Sequence, residues 1–215
     1  MLAFDIETTG LDPRNSVVTV VCTEDYFTGE RKAYEFARIT AERNKLLSER
    51  NKHEVNSAEW LELDVSVSAQ DDLYDQTTRE MVSDLDAAHA LSAFNGIQFD
   101  IPFLQRAFDI DTLTIANWVL KTTDILEVSR LVYRSTFKLD LLCQYNNMTM
   151  KSASGLEAIK MAQDGRFDDL RDYCADDVHI LNNLYRKQYL KHPRNDQTIN
   201  LSEYAPATVY EKTKE

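Results

Sequence analysis

The sequence predicts an α/β fold: a sheet that opens on three antiparallel strands and is flanked by helices. Three observations point there. The first 36 residues hold three β-rich runs separated by turn chemistry. From Thr78 onward, short apolar runs alternate with stretches whose apolar residues recur every three to four positions. The composition is that of a folded chain, with 43% hydrophobic and 28% charged residues among 215. That length suits one domain with a full core over residues 1–190, in which 38–76 is an elaboration and 191–215 a polar C-terminal tail.

The elements follow in order. Leu2, Ala3, Phe4 and Ile6 form a buried first strand. Asp12-Pro13-Arg14-Asn15 turns the chain, and the β-branched run Val17–Cys22 is the second strand. Thr28-Gly29-Glu30 turns into a third, from Lys32 to Phe36. Thr40–Lys52 is a charged surface helix. Leu61, Leu63, Val65 and Val67 alternate with polar residues and predict a short edge strand, followed by an acidic loop at Asp71, Asp72 and Asp75. Thr78–Ala90 is helical, with Met81, Leu85 and Ala88 on one stripe. Leu91–Phe94 is a strand, Asn95-Gly96 a turn, and Phe99, Phe103 and Leu104 face a core from the next helix. Ile115–Leu120 reads as a further strand, with Asp124 capping the helix after it. Helices open near Lys138, run through Leu156, Ile159 and Met161, and occupy Arg166 to about Leu190.

Composition narrows the function. No apolar run approaches the ~20 residues of a membrane-spanning helix. The N-terminus lacks a basic start and carries acids at positions 5 and 7, unlike a secretory signal. The three cysteines, Cys22, Cys143 and Cys174, are scattered, which predicts free thiols in a reducing, intracellular (cytoplasmic) setting rather than a disulfide framework or zinc site. The histidines show no metal-ligand spacing, and no G-x-S-x-G supports a serine nucleophile. A net charge of −12 excludes coating nucleic acid by electrostatics alone. Residues 101–160, however, hold seven basic side chains against six acidic ones, so a short polyanion can be held where metal adds positive charge.

Asp5 and Glu7 lie two apart on the first strand, so their carboxylates project to one side. Like charges side by side are costly, and a hard divalent cation relieves the cost. Asp100 stands near a helix N-terminus, where the dipole favours a carboxylate. Tyr173 and Asp177 are one helical turn apart on the last long helix. Four acids from three separate segments match the requirement for holding two cations around a phosphodiester. A tyrosine hydroxyl one turn from Asp177 is placed to orient an attacking water.

With these residues in place the chain resembles the DnaQ-like family of 3′–5′ exonucleases, called DEDD after its acids, on the RNase H-like α/β fold, and the resemblance implies a mixed five-stranded sheet with an antiparallel start, flanked by helices. The D-x-E motif is matched by Asp5-Ile6-Glu7 within FDIETTGL, N-x-x-x-F-D by Asn95 to Asp100, and Y-x-x-x-D by Tyr173 to Asp177. The last motif is that of the tyrosine subgroup. The resemblance covers residues 1 to about 190 and leaves 38–76 unmatched. It implies catalysis by Asp5, Glu7, Asp100, Tyr173 and Asp177, with two Mg²⁺ or Mn²⁺ ions held by the four acids. It also implies that Thr8 and Thr9 sit beside the terminal nucleotide, that Leu11 packs on its base, and that Asn95 and Phe99 support the cleft. Asp176 adjoins Asp177, and the family spacing selects Asp177.

The implied substrate is a single-stranded 3′ end, with DNA favoured because FDIETTGL and YCADDV resemble exonuclease domains of family B DNA polymerases. A replication or repair protein is an implied partner, and no membrane is. An RNase D-like exoribonuclease is the closest rival, separated by its treatment of the 2′-OH. A non-catalytic nucleic-acid-binding protein has no need to keep four mutually repelling carboxylates.

Overall fold

The computed structural model describes residues 1–148 and 155–205. Five strands form one sheet in the order β3-β2-β1-β4-β5: β1 (Leu2–Thr8), β2 (Val18–Asp25), β3 (Arg31–Tyr34), β4 (Leu91–Ala93) and β5 (Thr122–Asp124). β1 pairs antiparallel with β2, and β2 with β3, whereas β1–β4 and β4–β5 are parallel. The expected mixed sheet with an antiparallel opening is therefore present, with β1 at its centre.

The period of two along β1 divides the core. Phe4 and Ile6 face a layer made by α1 (Phe36–Arg50), α2 (Ala58–Ala87), α3 (Asp100–Phe108) and α4 (Thr112–Lys121), packing with Val21, Leu91, Met81, Phe103 and Trp118. Ala3 faces the opposite layer with Val20 and Cys22. There α5 (Ile125–Tyr133), α6 (Leu139–Tyr145), α7 (Gly155–Gln163) and α8 (Phe167–Lys187) bring Leu142, Met161, Cys174, Val178 and Leu181 against the sheet. Asp5 and Glu7 continue the Ala3 side of β1 and so point toward α8.

Three expectations are corrected. Leu61–Val67, read as an edge strand, and the acidic residues 71–75, read as loop, both lie inside α2, a helix of 30 residues, ~45 Å long. Ser57 caps it by accepting from the Trp60 N–H at 3.2 Å. Its inner stripe is Val67, Tyr74, Met81 and Leu85, a spacing of about 3.5 that extends through the window where the local alternation misleads. Ile115–Leu120, read as a strand, lies inside α4. Asp111 caps α4 by accepting from Leu113 and Thr114 at 2.9 and 3.1 Å. Ile115, Trp118 and Val119 then face the core at helical spacing, while Leu113 and Leu120 are exposed. The fifth strand is the short segment that follows.

Beyond α8 the expected boundary at 190 falls within a small hairpin of β6 (Tyr189–Lys191) and β7 (Thr198–Asn200), followed by a 3-10 turn at Leu201–Glu203. Leu190, Ile199 and Leu201 are fully buried in the α8-side core, so the polar stretch up to residue 205 is fastened by alternate apolar residues. His192 is fully enclosed too, between the Tyr133 and Phe137 rings at 5.0 and 5.2 Å. The Ser129 hydroxyl donates to Ser135 O at 2.9 Å, and Arg194 N–H donates to His192 Nδ1 at 3.2 Å. His192 Nε2 thus carries the ring proton and donates to Ser129 Oγ at 2.9 Å.

Burial, reinforced by the charge of Arg194, lowers the His192 pKa below the usual histidine value. The folded state therefore binds this proton less readily than the unfolded chain. The associated stability is complete above pH ~6.5 and is lost as pH falls through the window below it. We expect Tm to drop between pH 6.5 and 5. His192→Gln should cost about 1–3 kcal/mol at pH 7.5 and show a shallower pH slope in scanning calorimetry. An equal slope in both proteins would dismiss the assignment.

Candidate active site

Three carboxylates meet where α8 crosses β1. One oxygen each from Asp5, Glu7 and Asp177 lies within 4.8 Å of the others. Asp5 and Glu7 are partly buried, whereas Asp177 is 3% exposed. Tyr173, one turn before Asp177, is buried beside the same strand.

The helix is held there by polar contacts as well as packing. Cys174 Sγ donates to Asp5 O at 3.6 Å. Glu24 on β2, only 1% exposed, accepts from Arg31 Nε at 2.7 Å and, on α8, from Asn182 Nδ2 at 3.0 Å, and it pairs with His179 Nδ1 at 2.9 Å. Burial alone would raise the Glu24 pKa; the hydrogen bonds from Asn182 and His179 outweigh it and keep the carboxyl below its usual range. An ionised, fully partnered Glu24 thus clamps the second turn beyond Asp177 to the sheet.

Asp100 stands beside this group but outside the three-oxygen cluster. β4 pairs with β1 only at Leu2 and Ala3 and then parts from it. The Ile6 N–H, which a longer β4 would engage, donates instead to Asp100 Oδ1 at 3.1 Å. Asp100, 4% exposed, is therefore fixed to the residue between Asp5 and Glu7. The turn before it leaves little space: a Cβ on Gly96 would come 2.5 Å from Ala93 Cβ and 3.6 Å from Asp100 Oδ2. Asn95 occupies the left-handed region at φ 69°. It is fixed by Asp124, whose oxygens accept from the N–H groups of Asn95 (2.8 Å), Ile97 (3.1 Å), Leu126 (2.9 Å) and Glu127 (3.3 Å). Asp124 does cap α5, as expected, and it holds the Asn95 turn as well. Burial raises its pKa against the pull of those amides.

The remaining expected residues are distributed as follows. Thr8 is buried and its hydroxyl donates to Gly10 O at 2.6 Å. Thr9 is exposed; its Oγ accepts from Val17 N at 3.0 Å. Both hydroxyls thus shape the turn after β1. Leu11, 82% exposed, stands on that turn as an uncovered apolar side chain. Phe99 is half-buried with its ring 4.8 Å from Phe103. A cleft of about 390 Å³ opens beside Asp5 and Tyr173 and is also lined by Asn95, Phe137, Lys138 and Asp140. The last three were not singled out by sequence reasoning. Lys138 was visible as a helix start and as one of the seven bases of residues 101–160, with no pattern that set it apart from the other six.

The donor set consists of carboxylate oxygens, with no histidine or thiol in the cluster. That is the chemistry suited to a hard divalent cation such as Mg²⁺ or Mn²⁺. Among the described residues no helix is long and apolar enough to cross a membrane.

A mixed sheet with an antiparallel start, flanked by helices and carrying carboxylates on its central strand, defines an α/β protein of the RNase H-like type. A model of the RNase H superfamily matches residues 2–189, and the chain belongs to that superfamily. No curated protein matches it. Among solved structures it is similar to the family B DNA polymerase from the hyperthermophilic archaeon Pyrobaculum calidifontis, with 17% identity and a TM-score of 0.53. That match covers 86% of this chain and 24% of the polymerase, so the chain spans about a quarter of its length. The likeness supports the fold.

If the carboxylates hold cations, saturating Mg²⁺ or Mn²⁺ should raise Tm by roughly 5–10 °C, the shift expected for ligand at about 100 times its Kd. Asp177→Asn should lose most of that rise in scanning fluorimetry. A wild-type melting curve unmoved by millimolar metal would remove the cations from this site.

Proposed function

We propose that the protein is a metal-dependent 3′–5′ exonuclease of the DnaQ-like tyrosine subgroup, which hydrolyses single-stranded DNA from its 3′ end and releases 5′-mononucleotides. The observation that carries this reading is the convergence of Asp5, Glu7 and Asp177 from β1 and α8, with Asp100 tied to the backbone between the first two. Superfamily membership and the likeness to a DNA polymerase support it. In this reading residues 1–190 are the exonuclease unit, α1 and α2 elaborate it, and a replication or repair protein is the natural partner.

The four acids would hold two divalent cations, which supply charge neutralisation for the phosphodiester and make water more acidic. The other roles belong to this chain. Tyr173, one turn from Asp177, orients the attacking water through its hydroxyl. Leu11, exposed on the turn after β1, packs on the terminal base. Thr8 and Thr9 shape the backbone beside the terminal nucleotide, and Asn95 and Phe99 support the far wall of the cleft. Lys138, on the cleft wall, gives the phosphate backbone a cation in an otherwise acidic molecule.

Asp5→Ala or Asp177→Ala should abolish digestion while leaving single-strand binding in Ca²⁺. Tyr173→Phe should slow the reaction about 10²-fold without ending it, the usual scale for one positioned proton-transfer group. Parallel digestion of 3′-labelled and 5′-labelled single-stranded DNA, duplex DNA and RNA, each with Mg²⁺ or EDTA, tests polarity, sugar and metal together. Preferred cleavage of RNA would convert the reading to an RNase D-like exoribonuclease. Full activity of either alanine variant would end it.

A further inference from the structure

One face of α2 is used against α1 and the sheet. Trp60 lies under the Arg50 guanidinium at 5.1 Å, Asp64 pairs with Arg50, Asp71 pairs with Arg43, and the Tyr74 ring packs on Phe36 at 5.1 Å. Positions 60, 64, 67, 71 and 74 are successive steps of three or four, so they share a side of the helix. The other side is also apolar. Leu61, Val65, Ala69 and Leu73 are each four apart and wind across the face turned away from α1. Leu61, Val65 and Leu73 are 49, 71 and 42% exposed, and Ala69 is exposed as well. A stripe with this spacing is what a surface helix ordinarily turns inward. Among the described residues nothing covers it, and it runs ~18 Å, about three turns of a partner helix.

The charge around the stripe selects what fits. α2 carries nine acidic side chains against one basic, Arg79, and so holds most of the net −12 of the whole chain. Asp64, Asp71 and Asp84 are matched by Arg50, Arg43 and Lys32 on the inner side. Glu62 and Asp72 instead flank the outward stripe and are exposed. Nucleic acid and anionic lipid are repelled by such a surface. A second copy would bring an equally acidic α2 against this one. We propose that the outward face of α2 docks a basic amphipathic helix of a partner protein, whose apolar side chains meet Leu61, Val65 and Leu73 and whose lysines or arginines meet Glu62 and Asp72.

The test uses the full chain and a fluorescent 18-residue Leu/Lys amphipathic helix, with a Leu/Glu counterpart and a sequence-scrambled Leu/Lys peptide as comparisons, read by anisotropy near physiological salt. The Leu/Lys helix should bind, and both comparison peptides should bind at least tenfold more weakly. Val65→Ser/Leu73→Ser should weaken binding at least tenfold, and Glu62→Lys/Asp72→Lys should do the same. These positions are exposed and lie outside the proposed catalytic group, so digestion of single-stranded DNA should be unchanged in both variants. The proposal fails if the Leu/Lys helix does not bind, if the serine variant binds as tightly as wild type, or if the Leu/Glu helix binds equally well. It also fails if sedimentation shows a dimer that the serine substitutions dissolve, which would make a second copy the occupant. None of these failures bears on the nuclease reading.

Discussion

The structure depends on a conflict built into β1. The strand at the centre of the sheet has to bury both faces, yet it carries two carboxylates on one of them. Phe4 and Ile6 satisfy the α2–α4 layer completely. On the other face only Ala3 is apolar, and the next two positions on that side are Asp5 and Glu7. The helix that covers them, α8, adds a third acid at Asp177, so packing there concentrates negative charge. Such an arrangement persists because α8 is held by interactions elsewhere along its length: Cys174 against the strand backbone, Val178 and Leu181 in the core, and the hydrogen-bonded Glu24 under its second half. Stability supplied by those contacts offsets the repulsion at the site, a separation of roles common where groups are held for chemistry.

The early parting of β1 and β4 is the complementary device. Two paired positions are enough to join the halves of the sheet, and the backbone beyond them becomes available to other groups. Asp100 takes the Ile6 amide, and the close fit at Gly96 sets the distance at which it does so. The crevice outside the ends of β1 and β4 is thus lined from both sides by the segments expected to carry the site, as open α/β sheets generally provide.

Much of this was legible in the chain, and the parts that were not share a cause. Asp5 with Glu7, and Tyr173 with Asp177, are short-range patterns whose meaning depends only on a strand period of two and a helix turn of four. β2 declared itself through its run of β-branched residues. By contrast, the tie between Ile6 and Asp100 spans 94 positions and leaves no local mark. The alternation at Leu61–Val67 is genuine, but it is overruled by a stripe extending to Leu85 that shows only in a window several turns long. Ile115 and Val119 suggested a strand, whereas the Asp111 cap and the burial of Trp118 decided for a helix. Lys138 and Asp140 reach the cleft through tertiary placement of α6, which no spacing encodes.

Asp124 carries a consequence for anyone who maps this protein by alanine scanning. Its two oxygens serve the end of a strand, the start of a helix and the loop leading into Asp100, all through amide hydrogens. In the proposed nuclease, truncating it would release that loop and silence digestion as thoroughly as deleting a group that touches nucleic acid. A scan scored by turnover alone would therefore draw the reactive centre one residue too large, and would place a joint of the scaffold among its working parts.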